Sequence, residues 1–291
     1  MSEVANMTSQ GDVTAKTDYL RALLEAYYPR HFFAVFRAHE LYNVEPYIEQ
    51  LADPVLDLGC GDGLIVKLLF QRPLEYGIDL SEKAIQRAKQ SGYYQTVFHG
   101  DAHNMPLEDN SLGGVFSNCV LEHISDMPGQ IAEVSRVLRP GGVFVATCLT
   151  PQYYDLNPIF HSLDNGGSQW LRQQMIEAEN KLHHHVSVYS VDDYRRFFEQ
   201  TGMELEAHQY YAPPELLNVT HRWDTPSKYL LPPPFPLTHH GWLIMYLYAR
   251  YGWRPRPDVI DQIYSEYEKL VFHRDLETQV GAAQILVARK R

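Results

Sequence analysis

The run Val55-Leu56-Asp57-Leu58-Gly59-Cys60-Gly61-Asp62-Gly63 constrains the fold more than any other stretch of this chain. A short, largely apolar strand pattern leads into three glycines at alternating positions, and a helical pattern follows over about 62–71. Glycine at these places lets the backbone turn tightly and lets a ligand approach where a side chain would collide. The helix beyond points its free N-terminal amides, and the positive end of its dipole, at the same spot. A strand, turn and helix arranged in this way suit a nucleoside-type cofactor. They do not make the dinucleotide fingerprint, because G-x-G-x-x-G beginning at Gly59 needs a glycine where Leu64 stands. Asp79 ends the next predicted strand, in Tyr76-Gly77-Ile78-Asp79-Leu80, where a carboxylate can accept two hydrogen bonds from a ribose diol.

Around that unit, strands and helices alternate. Strands are predicted at 54–58, 74–79, 94–99 and 113–118, with helices at 62–71 and 81–91. Such alternation implies a parallel sheet covered by helices on both faces. A helix over about 128–138 stops at Arg139-Pro140-Gly141-Gly142, and a fifth strand follows over 143–148. Ser190-Val191-Asp192-Asp193 reads as a helix cap before 194–200, Thr201-Gly202 ends that helix, and strands follow at 203–209 and 282–288. Residues 19–50 read as helical, with Tyr27, Tyr28, Phe32, Phe33 and Phe36 forming an aromatic side expected to pack over the cofactor mouth.

Four motifs in order carry a resemblance: Asp57-x-Gly59-x-Gly61-x-Gly63, the acid Asp79, Gly100-Asp101-Ala102, and Leu138-Arg139-Pro140-Gly141-Gly142. The chain resembles a class I S-adenosylmethionine-dependent methyltransferase of the broad small-molecule kind, over roughly residues 53–139 and more loosely beyond. The resemblance implies an α/β, Rossmann-like sheet of seven strands, mostly parallel, with the last strand antiparallel beside the fifth. It also implies the cofactor, S-adenosyl-L-methionine, and a role for each motif residue. Asp57, Gly59, Cys60 and Gly61 would surround the methionyl end. Asp79 would take the ribose hydroxyls while Leu80 packs on adenine. Asp101 and the amide of Ala102 would read the adenine edge, and carbonyls of Ser117 and Asn118 would face the cofactor's ammonium.

The fourth strand ends in Ser117-Asn118-Cys119-Val120-Leu121-Glu122-His123, which lacks the Asn/Asp-Pro-Pro-Tyr/Phe motif of enzymes resembling nucleobase amino-methyltransferases. A Pro-Cys nucleophile and the paired glutamates of protein-arginine enzymes are missing too. Glu122 and His123 lie just beyond that strand and are candidates for proton removal. Methyl transfer is an in-line displacement with a good leaving group, so alignment alone can supply much of the rate, and a base is not obligatory. His221, in the cluster His221-Arg222-Trp223-Asp224, is a third candidate, with internal packing as the alternative. His183-His184-His185 resembles a metal cluster in composition only, since adjacent side chains diverge and no Asp or Cys stands at ligand spacing, so no metal is expected. Arg37 and His39 could meet the cofactor or the acceptor, but each taken alone reads as lying on an exposed face.

A formal charge of −11 argues against a general nucleic-acid binder, which needs a basic surface to displace counterions. Cys60, Cys119 and Cys148 form no C-x-x-C pair and read as reduced, buried residues of a cytoplasmic protein. Residues 1–17 read as a flexible tail, and 18–291 as one domain with its core in 52–150, 190–210 and 279–291. Two stretches, 151–189 and 211–278, exceed the minimal plan and are expected to act as substrate lids. The second holds nine of the eighteen prolines, and its apolar run at 241–248 is too short to span a bilayer. A core or lid helix is expected there, with a membrane-surface contact left open. The expected activity is methyl transfer to a small, apolar or aromatic acceptor, most simply on oxygen, in natural-product biosynthesis. Carbon methylation and a partner subunit that binds cofactor without transfer are the alternatives, and the oligomeric state is left open.

Overall fold

The computed structural model describes residues 17–27, 30–157, 160, 169–217, 257–273 and 279–291. Two N-terminal helices, α1 (Tyr19–Tyr27) and α2 (His31–Ile48), precede the sheet. Then come β1 (Val55–Leu58), α3 (Leu64–Leu69), β2 (Leu74–Asp79), α4 (Glu82–Ser91), β3 (Tyr94–His99) and β4 (Leu112–Asn118). A single 3-10 turn at Leu121–His123 leads to α5 (Met127–Val137) and β5 (Leu138–Leu149). The rest comprises α6 (Tyr153–Leu156), α7 (Gln169–His183), α8 (Val191–Gln200), β6 (Met203–Tyr211), α9 (Pro257–Val271) and β7 (Ala283–Lys290).

The seven strands form one sheet in the order β3-β2-β1-β4-β5-β7-β6. The first five are parallel, and β7 runs antiparallel to both β5 and β6. β1 and β4 are buried along their whole length, as near-continuous apolar strands with both faces covered should be. Side-chain alternation divides the core. Val143 and Val145 of β5 and Ile285 and Val287 of β7 face the layer containing α1, α2 and α9. Phe144, Ala146, Leu286 and Ala288 face the layer containing α5 and α8.

Sequence and structure agree on β2 and β3 to the residue and differ where backbone conformation outweighs pattern. The helix expected from residue 62 begins at Leu64, because Gly63 is in the left-handed region (φ 84°) and acts as its N-cap, with the Asp62 carboxylate accepting from Leu64 N at 3.1 Å. At its other end α3 gives way to Gln71, also left-handed. The fifth strand starts at Leu138 rather than 143. Leu138 already pairs with Leu112, and the exposed segment 139–141 with left-handed Gly141 forms an irregular stretch of the strand. α8 begins at Val191, one turn earlier than expected, behind a complete capping box in which Ser190 and Asp193 satisfy each other's amides. Residues 1–16 of the expected tail and 218–256 of the expected second lid lie outside the described residues.

Candidate active site

The carboxyl edge of the parallel strands gathers the motif residues. Gly59 and Cys60 amides both donate to Ile78 O, at 2.9 and 3.0 Å, which ties the glycine turn to β2. Gly59 has φ 78°, and a Cβ there would stand 2.2 Å from Val120, so the turn also packs against the segment after β4. A Cβ on Gly61 would meet nothing within 4 Å, so the turn is open there to a ligand. Asp79 Oδ2 accepts from Gly61 N (2.9 Å) and Oδ1 from Ser81 N (2.8 Å), so each oxygen keeps a lone pair for a diol. Leu80 beside it is 70% exposed, an apolar surface suited to a flat base.

Asp101 is exposed and held in place by His103, whose amide (2.9 Å) and Nδ1 (2.8 Å) both face Asp101 Oδ1. The His103 amide and then its imidazole hold the Asp101 carboxyl below its ordinary range. His103 Nε2 lies 3.0 Å from Asp126 O; burial opposes the imidazolium, but Asp101 and that carbonyl outweigh it and raise its affinity for a proton. The sequence offered no role for His103, though a histidine two residues after a motif acid is within reach of its carboxylate. Ala102 is half-buried, and its carbonyl accepts from Gln130 Nε2 at 3.1 Å.

At the end of β4, Ser117 and Asn118 are buried. Asn118 Nδ2 donates to Thr147 Oγ1 at 2.9 Å, whereas Ser117 Oγ and Asn118 Oδ1 have no partner among the described residues. Asp57 is buried under the glycine turn, and its Oδ2 accepts from the Tyr94 hydroxyl at 2.7 Å. Burial pushes its carboxyl up to about 7, against the pull of that hydrogen bond. Buried polar atoms without partners among the described residues, open space at Gly61 and the acid Asp79 form a donor and acceptor set that fits S-adenosyl-L-methionine.

Of Arg37 and His39, both read from sequence as exposed, His39 is buried and Arg37 half-buried, its side chain 11% exposed. Arg37 Nη1 donates to Glu40 Oε2 at 2.6 Å, and Glu40 Oε1 accepts from Cys119 Sγ (3.0 Å) and Tyr211 hydroxyl (2.7 Å). Burial works against both charges of the pair. Even so, Arg37 holds the Glu40 carboxyl below its ordinary range and Glu40 holds the guanidinium above. Arg37 Nε has no partner among the described residues. Cys119, half-buried and left-handed (φ 52°), turns the chain at the end of β4 so that its thiol reaches α2. Sequence reading missed Glu40 and Tyr211; the available signal was Arg37, Glu40, Asn43 and Tyr47 at helical spacing on an otherwise apolar helix. Burial pushes His39 down to about 4, so it is neutral there, with Nδ1 3.0 Å from Val271 O.

Glu122, in the 3-10 turn, is 3% exposed, and its Oε2 has no partner among the described residues. Burial pushes its carboxyl up to about 7, with the Glu40 charge adding and Arg37 opposing. The adjacent His123 is exposed, with Nδ1 3.1 Å from His184 O. His183 stacks on His185 at 5.6 Å between ring centroids, and His185 stands 5.5 Å from His123. The segment 183–187 thus braces the 3-10 turn, with Val186 N donating to Glu122 O at 2.9 Å. His221 lies outside the described residues, so the structure brings together Asp57, Gly61, Asp79, Asn118 and Glu122 but says nothing of that third candidate.

A family model described as a methyltransferase domain matches residues 56–146. An uncharacterised methyltransferase of Schizosaccharomyces pombe is 33% identical over 181 residues, 57% of this chain and 65% of that protein. A malonyl-[acyl-carrier protein] O-methyltransferase of Serratia marcescens is 33% identical over 98 residues, 33% of this chain and 38% of that protein. The chain thus spans between about a third and two thirds of the length of the curated relatives it first matches. In fold it is similar to a geranyl diphosphate C-methyltransferase of Streptomyces coelicolor, with a TM-score of 0.53 at 13% identity, covering 95% of this chain and 91% of that one. Residues 56–146 thus match the methyltransferase-domain family, within a seven-stranded sheet of the Rossmann-like methyltransferase fold.

Proposed function

We propose that this chain transfers a methyl group from S-adenosyl-L-methionine to oxygen of a small, apolar or aromatic acceptor, with Glu122 as the base. The observation that carries the reading is Glu122 itself, a buried carboxyl one turn beyond the end of β4, with one oxygen that has no partner among the described residues. The cofactor supplies an electrophilic methyl on a sulfonium, a centre that needs no metal to activate it. Asp79 holds the ribose, Leu80 and Asp101 the base, and Asp57, Gly59 and Gly61 the methionyl end. Ser117 and Asn118 line the strand end beneath. Glu122 would accept the acceptor's hydroxyl proton as the new carbon–oxygen bond forms and the methyl–sulfur bond breaks, its electron pair staying on the sulfur of the departing S-adenosylhomocysteine, and ionisation near neutral pH suits that task. His123 braces the turn through His184 rather than sharing the proton transfer. The segment 151–189 and the part of 211–278 outside α9 act as the acceptor's lid, within a single domain, while α9 packs on α1 and α2 as part of the core. The similarity to malonyl-[acyl-carrier protein] O-methyltransferases supports oxygen as the methylated atom.

The test is transfer of labelled methyl to a panel of phenols, carboxylic acids and apolar alcohols, run beside ribosomal RNA and lysate protein. Label in an organic-soluble small product is expected, and label in either macromolecular fraction overturns the reading. Nuclear magnetic resonance of the product separates an O-methyl from a C-methyl. With a working acceptor, Glu122→Gln lowers turnover by about 10²-fold or more while leaving cofactor affinity within about twofold. The wild-type rate falls as pH drops below about 7, as Glu122 takes a proton, and the variant lacks that limb. Equal loss of turnover and cofactor affinity makes Glu122 a pocket residue instead.

A further inference from the structure

Tyr94 opens β3, the edge strand, two strands away from Asp57 on β1, yet its hydroxyl donates to Asp57 Oδ2 at 2.7 Å and lies 3.4 Å from Cys60 O. Two glycines make this reach feasible. A Cβ on Gly77, in the intervening β2, would stand 3.0 Å from Tyr94 Cδ1, and one on Gly63 would stand 3.0 Å from Tyr94 Cε2. Gly63 is left-handed and needs glycine for its backbone in any case, but Gly77 does not have a positive φ. Glycine at 77 is explained by what lies over it, the Tyr94 ring and the Cys60 side chain. The chain has therefore cleared a path for one aromatic ring to carry one hydroxyl beneath the glycine turn.

We propose that Tyr94 is a positioning residue of the cofactor site, whose hydroxyl keeps the Asp57 carboxylate ionised and aimed at the ammonium of the cofactor's methionyl end. The inference rests on the reading of Asp57 as part of that site. The charged and titratable groups around Asp57 are Asp79 from β2, Cys60 and Asp62 from the glycine turn, Tyr94 from β3 and Arg37 from α2. Burial and Asp79 oppose ionisation of Asp57, whereas Tyr94 and Arg37 favour it. Losing the hydroxyl moves that ionisation to higher pH, and a neutral carboxyl is a poor partner for an ammonium.

The experiment is calorimetric titration of the full chain with S-adenosyl-L-methionine from pH 6 to 8, comparing wild type with Tyr94→Phe, which keeps the ring over Gly77. The cofactor's own amine titrates identically in both, so the ratio of their dissociation constants reports on the protein. For a shift of about one pH unit, Tyr94→Phe weakens binding by about eightfold at pH 6.5 and by about twofold at pH 8. In an Asp57→Asn background the same substitution gives a ratio that does not vary with pH. A ratio constant across the range makes Tyr94 merely structural and overturns the inference, and so does a ratio of one throughout. Wild-type titrations in two buffers of different ionisation enthalpy give a check that needs no variant: net proton release attributable to Asp57 is expected near pH 7, and its absence also overturns the inference. Failure of the wild type to bind the cofactor at any pH sinks the methyltransferase reading itself, an outcome distinct from binding with a flat ratio.

Discussion

At the scale of the residue, the motif acids share a sequence character but differ in what surrounds them. Asp79 has each oxygen engaged by one backbone amide, from Gly61 and Ser81, so its orientation is fixed by the turn itself. Asp101 is 59% exposed and held by its neighbour His103. Replacing Asp79 by Ala removes two hydrogen bonds to a charged acceptor and raises the cofactor dissociation constant by about tenfold or more, for roughly 1.5–3 kcal/mol. Calorimetric titration checks it, and unchanged affinity removes Asp79 from the ribose role. The order of the four motifs was enough to locate these acids, because each belongs to a turn whose neighbours in sequence are its neighbours in space. Nothing local separates the buried Glu122 from the exposed His123 beside it, since their difference lies in which side of a 3-10 turn faces the sheet.

At the scale of the element, α2 lies where a helix was expected, but its buried polar face was not. Its apolar residues surround it, as expected of a helix buried on most sides, so no single stripe announces which face meets the sheet. The contact is polar. Glu40 meets Cys119 and Tyr211, and Asn43 Oδ1 accepts from Gln209 Nε2 at 2.8 Å, so α2 is registered by hydrogen bonds to β6 and to the end of β4. Removing the buried Glu40 carboxylate leaves the half-buried Arg37 guanidinium without its partner, and the expected cost for Glu40→Ala is about 3–5 kcal/mol. Tyr211→Phe, which deletes one donor and leaves Glu40 with two others, costs about 1–3 kcal/mol. Urea denaturation of the two variants measures both, and equal costs contradict the assignment of Glu40 as the hub.

At the scale of the whole molecule, the burial of Asp57 and Glu122 sets how stability responds to pH. Both carboxyls are pushed up to about 7 in the folded protein, against about 4 in an unfolded chain. Between those values the native state holds protons that the unfolded state has lost, so this pair makes stability fall as pH rises from about 4 to 7 and level off above. The double variant Asp57→Asn with Glu122→Gln lacks that slope. Its melting temperature is expected to exceed that of the wild type by several degrees at pH 8, with the gap closing near pH 4. Calorimetric melting across that range checks the sign, and a gap that does not narrow on acidification rules out the linkage.

Local chemistry determined the strand that ends in glycines, the acid at the end of β2, the capped start of α8 and the alternation that makes a parallel sheet, because each depends on residues within a few positions of one another. Tertiary structure decided the rest. Tyr94 and Asp57 are 37 residues apart, Cys119 and Glu40 are 79, and Tyr211 and Glu40 are 171. Their meeting depends on strand order and on which face of α2 turns inward, and no local spacing encodes either. Burial acts in the same way: a carboxyl's affinity for its proton is a property of the space around it, and that space exists only once the sheet and its covering helices have closed.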